Sequence, residues 1–127
     1  MAKYAHADVL DGGLNAIKNN AIQMVLLKAY TFADSYATVT SNIVASVTMT
    51  SSDYTLSGAD GAARVCTIAA KSGTASADSG ASPDLHIAFT DNVSKVLMVT
   101  DETSNQVVTN GNTVNFPSLT YTSGQPT

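Results

Sequence analysis

The sequence predicts a mainly β protein, either a β-sandwich or a small β-barrel of about seven strands with one short N-terminal α-helix. Three observations support this fold class. Short runs of apolar and β-branched residues recur along the chain, clusters of Gly, Asn, Asp and Ser separate them, and apolar residues follow a helical spacing near the start. With 127 residues, the chain is most simply one domain with one core.

The helix is predicted over residues 8–20, after a polar arm over residues 1–7. Asp8 is a favourable N-cap residue for this helix. The pair Gly12-Gly13 opposes helix formation, at about 1 kcal/mol for each glycine relative to alanine. One face carries the apolar positions Leu10, Leu14, Ile17 and Ala21.

The clearest β signal is a pair of consecutive hairpins. Leu85–Thr90 and Lys95–Thr100 are rich in apolar and β-favouring residues, and a short polar link joins them. Gln106–Thr109 and Thr113–Phe116 flank a second link, where Asn110-Gly111 suits the positive φ of a tight turn. The chain from Leu85 to Phe116 is therefore predicted to be a β-meander.

Other parts of the chain add strands to this meander. The segment Lys71–Asp84 has almost nothing to bury and is predicted to be a loop. The β-rich body covers residues 22–122 and a tail covers residues 123–127, with fraying expected from Tyr121 onwards. Four earlier runs are predicted strands: Ile22–Ala29, Ile43–Thr50, Tyr54–Leu56 and Arg64–Ala70.

Charge and hydropathy exclude two classes of partner. The net charge of −4 falls entirely in residues 72–127, and the six basic residues are not clustered, so nucleic-acid binding is not expected. The longest apolar run, Met24–Leu27, is far shorter than the roughly 20 residues that span a bilayer, which predicts a soluble protein without a membrane partner. Cys66 is the single cysteine, so an intramolecular disulfide is excluded, in keeping with assembly in a reducing cytoplasm.

No pattern in the chain indicates catalysis, a cofactor, a metal or a small-molecule substrate. His6 lies in the polar arm, and His86 lies in a strand with Asp84 two residues before it, where a hydrogen-bonded strand pair is the simplest interpretation. Cys66 is predicted to be a small buried thiol. A hydrolase would require His86 to lie beside a nucleophile, and no G-x-S-x-G or S-x-x-K motif is present.

Several segments together resemble small structural proteins in the virions of tailed bacteriophages. The points of likeness are the opening Met1–Tyr4 with Asp8–Asp11, the early helix, Leu85–Asp91, Val96–Thr100 and Val108–Pro117. Such proteins look like head decoration (cement) proteins. The resemblance implies a homotrimer that is assembled in the host cytoplasm, binds the outer surface of the capsid and clamps neighbouring subunits of the major capsid protein.

Two segments are the predicted contact elements for the capsid or for neighbouring subunits, because both look poorly ordered alone. They are the arm Met1–Ala7 and the loop Lys71–Pro83. A tail or receptor-binding virion component, which includes a carbohydrate-binding one, is the alternative function. The candidate contact residues are Ala2, Lys3, Tyr4, His6, Lys71, Ser72, Thr74, Ser82 and Pro83.

Overall fold

Nine strands form three antiparallel sheets around one main helix. The computed structural model describes residues 2–127, so Met1 of the predicted arm lies outside the described residues. The helices are α1 (Ala7–Asn20) and the short α2 (Tyr36–Ser41), and a 3-10 turn covers Ser51–Asp53. The strands are β1 (Gln23–Leu27), β2 (Ile43–Thr48), β3 (Tyr54–Ser57), β4 (Arg64–Ile68), β5 (Lys71–Thr74), β6 (His86–Thr90), β7 (Val96–Asp101), β8 (Thr113–Phe116) and β9 (Leu119–Ser123).

The four-stranded sheet has the order β2-β1-β6-β7, the three-stranded sheet has the order β3-β4-β9, and β5 pairs with β8. A bridge between Ala45 and Ala75 joins the two-stranded sheet to β2. The sheets do not close into a barrel, so of the two predicted architectures the β-sandwich is the one that agrees with the structure.

The main core lies between the four-stranded and three-stranded sheets. Leu14 of α1, Met24 of β1 and Phe89 of β6 are fully buried in it, and Ile68 contributes from β4. Helix α1 packs against β3, β4 and β9. The predicted apolar face of α1 is confirmed, because Leu10, Leu14, Ile17 and Ala21 are all buried.

A second cluster covers the opposite face of the four-stranded sheet. It joins Val25 and Leu27 of β1 to Ala88 of β6, and Val39 of α2 packs on them. Strands β1 and β6 are therefore buried on both faces. This explains why their sequences are nearly continuous runs of apolar residues. Helix α2 lies in residues 30–41, where the sequence allows a loop with some strand or a helical turn. A six-residue helix offers too few positions for a periodic signal to decide between them.

Several local expectations were wrong. Nine strands are present where about seven were expected. The predicted loop 71–84 begins with β5, and Gln106–Thr109 is not a strand, so β8 pairs with β5 instead. The predicted frayed end from Tyr121 belongs to β9, which pairs with β4. Each error concerns a pairing between segments distant in sequence, which a local pattern does not reveal.

The N-cap of α1 was also misassigned. His6 is the N-cap, and its Nδ1 accepts a hydrogen bond of 3.0 Å from the backbone N–H of Asp8. Asp8 lies in the first turn, where its charge still favours the helix dipole. Among residues 2–127, no helix has the length and apolar character required to cross a membrane.

Candidate functional site

The turn Thr31–Asp34 presents the most exposed large apolar side chain among the described residues. Phe32 is 93% exposed, although the sequence suggests it as one of the scattered apolar anchors of residues 30–41, with Tyr36 and Val39. The backbone N–H of Thr31 donates to the Asp34 carboxylate at 2.8 Å, and the N–H of Asp34 donates to the Thr31 carbonyl at 2.9 Å. The turn is closed at both ends while the phenyl ring points into solvent.

Two further features hold this turn in place. The N–H of Ala33 donates to the hydroxyl of Tyr30 at 3.2 Å. Ala33 has a φ of 67°, a left-handed conformation that costs a non-glycine residue about 1 kcal/mol or more. The surrounding hydrogen bonds offset this cost, so Phe32 is presented by a pre-organised turn. A pre-organised aromatic side chain is typical of binding hot spots, because little entropy is lost when it docks.

The predicted N-terminal contact element is fastened to the rest of the molecule. Tyr4 donates from its hydroxyl to the carboxylate of Asp60 at 2.7 and 2.8 Å, and the N–H of Ala7 donates to the same carboxylate at 3.0 Å. The Gln125 side chain pairs with both the N–H and the C=O of Ala5 at 2.8 and 3.0 Å. The expectation of a poorly ordered arm was therefore wrong, because the partners of the arm come from distant parts of the sequence.

The bonds to Asp60 also alter its acidity and that of Tyr4. The hydroxyl of Tyr4 and the N–H of Ala7 stabilise the charged carboxylate, and they lower the pKa of Asp60. The same hydrogen bond raises the pKa of Tyr4. Lys3 donates to the backbone carbonyl of Thr127 at 2.6 Å. Residues 3–7 and 125–127 thus meet beside the β3–β4 loop, while the side chains of Ala2, Lys3, Tyr4 and His6 remain exposed.

The second predicted contact element is part strand and part loop. Lys71 is half-buried and forms an ion pair of 3.0 Å with Asp53. Within residues 2–127, no hydrogen bond or ion pair joins this element to the N-terminal arm, so the structure does not merge them into one site. The other candidate residues of this element are the exposed Ser72, Thr74 and Ser82 and the half-buried Pro83.

A pocket of about 560 Å³ opens between the four-stranded sheet and the segment 102–117. Its floor is apolar and includes the buried side chains of Leu85 and Ile87. Glu102 supplies the single charged group of the lining. No pattern in the sequence indicates this pocket, because its walls belong to segments that meet only in the fold. The segment 102–117 contributes apolar side chains to the lining, among them Val107, Val108 and Phe116, together with hydroxyl and amide side chains: Ser104, Gln106, Thr109, Asn112, Thr113 and Asn115.

His86 lies at the start of β6, close to the carboxylates of Asp84 and Asp101. Asp101 stands directly opposite His86 in the β6–β7 ladder, and its Oδ1 lies 3.8 Å from Nε2 of His86. Nδ1 of His86 lies 3.1 Å from the backbone carbonyl of Asp84. The Tyr30 ring packs against the imidazole with centroids 5.5 Å apart. The predicted Asp84–His86 contact thus exists through the backbone, and Asp101 is the member that sequence reasoning missed.

Cys66 and Tyr54 lie in the core and are not accessible as reactive groups. Cys66 is fully buried and free, as predicted, and burial raises the pKa of its thiol. Tyr54 is 1% exposed, and burial likewise raises the pKa of its hydroxyl. Burial disfavours the ionised form of both groups.

Comparison with known proteins gives no match: no family model, no curated protein and no solved structure matches the chain.

Proposed function

We propose that the protein is a capsid decoration (cement) protein of a tailed bacteriophage. It binds the outer surface of the head as a homotrimer and stabilises contacts between subunits of the major capsid protein. The resemblance of Leu85–Asp91 and Val108–Pro117 to such virion proteins supports the class. The observation that carries the binding role is the turn Thr31–Asp34, which holds Phe32 93% exposed. An exposed phenyl ring does not stabilise the isolated chain through burial. Burial of the ring against a partner stabilises the complex.

The physical demand on a cement fits this arrangement. Packaged DNA pushes outward on the shell, so a cement must add interface that resists separation of the capsid subunits. Full burial of a Phe side chain stabilises an interface by about 1.5–3 kcal/mol. A homotrimer presents three copies of Phe32, and simultaneous engagement raises the overall affinity well above that of one copy.

The predicted contact elements complement Phe32 in this proposal. Ala2, Lys3, Tyr4 and His6 offer an exposed face that is already ordered by Asp60. Deletion of residues 1–7 would also remove the bonds to Asp60 and Gln125. Point substitution is therefore the sharper test of contact.

The experiment uses capsids that lack the protein and measures binding of the purified chain by co-sedimentation. Phe32→Ala should weaken binding at least about tenfold, as loss of a hot-spot aromatic does. Val93→Ala is the matched control, because Val93 is 75% exposed on the β6–β7 turn at the opposite end of the four-stranded sheet. Equal binding by Phe32→Ala and the unmodified chain would contradict the role of Phe32.

Cryo-electron microscopy of the decorated particle locates the protein independently of any substitution. Density on the outside of the head, at or near three-fold positions, would support the proposal. Density in the tail, or no density on the particle, would overturn it.

A tail or receptor-binding component that binds carbohydrate is the second candidate, and the pocket favours it. Uncharged amides and hydroxyls above an apolar floor suit a neutral, hydroxyl-rich ligand. Asn112→Ala should weaken binding of a glycan that occupies this pocket, while Asn20→Ala on α1 should not. Glycan-array screening of the isolated chain is the direct measurement, and an array without signal would remove this candidate.

A further inference from the structure

We propose that Asp84, His86 and Asp101 bind one divalent transition-metal ion, for which Zn²⁺ is the test ion. One ligand atom of each residue lies within 4.8 Å of the other two. The set of one imidazole nitrogen and two carboxylate oxygens suits borderline ions such as Zn²⁺, whereas Ca²⁺ and Mg²⁺ prefer oxygen ligands alone. The site goes beyond the proposed capsid role and does not depend on it, and it revises the expectation that the chain binds no metal.

The fold brings the three residues together in two ways. Asp84 lies two residues before the start of β6, and its backbone carbonyl contacts Nδ1 of His86 at 3.1 Å, which keeps Asp84 beside the ring. Directly opposed residues in an antiparallel ladder share a side, which relates His86 to Asp101. The site therefore follows from the position of Asp84 just before β6 and from the register of β6 and β7.

The hydrogen bond from Nδ1 of His86 leaves Nε2 of the same ring free to bind a metal ion. A carbonyl oxygen only accepts, so the contact with the Asp84 backbone requires that Nδ1 of His86 carries the hydrogen. In the neutral imidazole Nε2 then has a lone pair, and it lies 3.8 Å from Oδ1 of Asp101. Two acceptors at this distance do not form a hydrogen bond, whereas a cation between them contacts both. Protein zinc sites use the same arrangement, in which the second ring nitrogen donates to a carbonyl or carboxylate.

The surroundings favour a cation over an alternative partner. Among residues 2–127, no lysine or arginine nitrogen lies within 4 Å of either carboxylate. The imidazole is well held, because the His86 side chain is 15% exposed and Tyr30 packs against it. The Asp101 side chain is 60% exposed, so an ion can enter from solvent and keep water as a further ligand.

The ion would fasten the chain segment that borders the pocket. The N–H of Glu102, next to Asp101, donates to the carbonyl of Leu85 at 2.9 Å, and the N–H of Leu85 donates to the Asn105 side chain at 2.8 Å. An ion shared by Asp84 and Asp101 would therefore hold the entrance of β6 to the end of β7, where the segment 102–117 begins.

The test is isothermal titration of the full chain with ZnCl₂ near neutral pH. We expect one equivalent of Zn²⁺ to bind, and binding should weaken at least about tenfold in His86→Gln and in Asp101→Asn. His6→Asn is the matched control, because His6 also has two carboxylates near it, at 3.6 and 3.9 Å, and Asn preserves the N-cap. Wild-type affinity in His86→Gln or Asp101→Asn would overturn the site, as would a loss of binding in His6→Asn or the absence of binding.

Two further measurements distinguish a loss of metal binding from misfolding of the variants. Circular dichroism of each metal-free variant should match the unmodified chain, because His86 and Asp101 form the last pair of the β6–β7 ladder and lie outside the buried core. Visible absorption of the Co²⁺-loaded chain should report nitrogen and oxygen ligands and disappear in His86→Gln. Displacement of Co²⁺ by an equal concentration of Ca²⁺ would contradict the assignment to transition metals.

Discussion

Tyr54 donates a hydrogen bond of 2.6 Å from its phenol to the backbone carbonyl of Ala21, and both residues are 1% exposed. Ala21 is the C-cap of α1 and Tyr54 begins β3, so this bond fixes the end of the helix to the three-stranded sheet. The ring of Tyr54 also meets Phe89 of the opposing sheet edge-on, with centroids 6.4 Å apart. The Tyr54 side chain thus connects helix α1 to both sheets of the sandwich.

Tyr54→Phe should lower the free energy of unfolding by about 1–2 kcal/mol, because the buried carbonyl of Ala21 loses its donor while the packing of the ring is kept. Urea denaturation measures the change. Tyr121→Phe is the control, since Tyr121 is 47% exposed and should change stability by less than about 0.5 kcal/mol. Equal stability of the two variants would contradict a structural role for this bond.

The ion pair of Asp53 and Lys71 should make stability depend on pH. Burial opposes ionisation of Asp53, but the N–H of Thr50 and the ammonium of Lys71 outweigh it and lower the pKa of Asp53. Since the folded-state pKa is lowered, this stabilisation is present above the ordinary aspartate range and is lost as pH falls through the lower folded value.

Lys71→Met should therefore reduce stability near neutral pH by up to about 1 kcal/mol. The difference from the unmodified chain should shrink between neutral pH and an acidic pH below the lowered folded-state pKa of Asp53, where protonation of Asp53 removes the pair. Urea denaturation at both pH values measures it, with Lys28→Met on the exposed Lys28 as the control. A deficit that stays constant with pH would show that Lys71 acts through packing alone.

Glycine substitutions should have opposite effects at two positions. Gly13 lies inside α1, and a methyl group there meets no atom within 4 Å, so Gly13→Ala should stabilise the chain by about 0.5–1 kcal/mol. Gly58 has a φ of +117°, and a Cβ there would clash with the carbonyl oxygen of Ala63. Gly58→Ala should destabilise by at least about 1–3 kcal/mol. Thermal unfolding of both variants checks the signs, and the same sign for both would contradict this account.

Cys66 should resist thiol reagents in the folded state. The side chain is fully buried, and burial raises the pKa of the thiol, so little nucleophilic thiolate forms. Reaction with Ellman's reagent should be negligible for the native chain and should reach one equivalent in denaturant. Rapid labelling of the native chain would mean that the core opens around β4.

Much of the fold was predictable because its signals are local. The hairpin of β6 and β7 follows from two β-favouring runs and a turn, and Asp91 holds that turn by accepting from the N–H groups of Val93, Ser94 and Lys95 at 2.8–2.9 Å. The apolar face of α1 and the buried thiol of Cys66 also follow from short-range patterns.

The sequence by itself determined the mainly β class, the place of the helix and the spacing that puts Asp84 two residues before His86. Only the tertiary structure decided that β8 pairs with β5, that Asp101 stands opposite His86, and that the arm is bound by Asp60 and Gln125. The physical reason is that spacing along the chain is set by local backbone geometry, whereas register and long-range contacts are set by packing of the whole core.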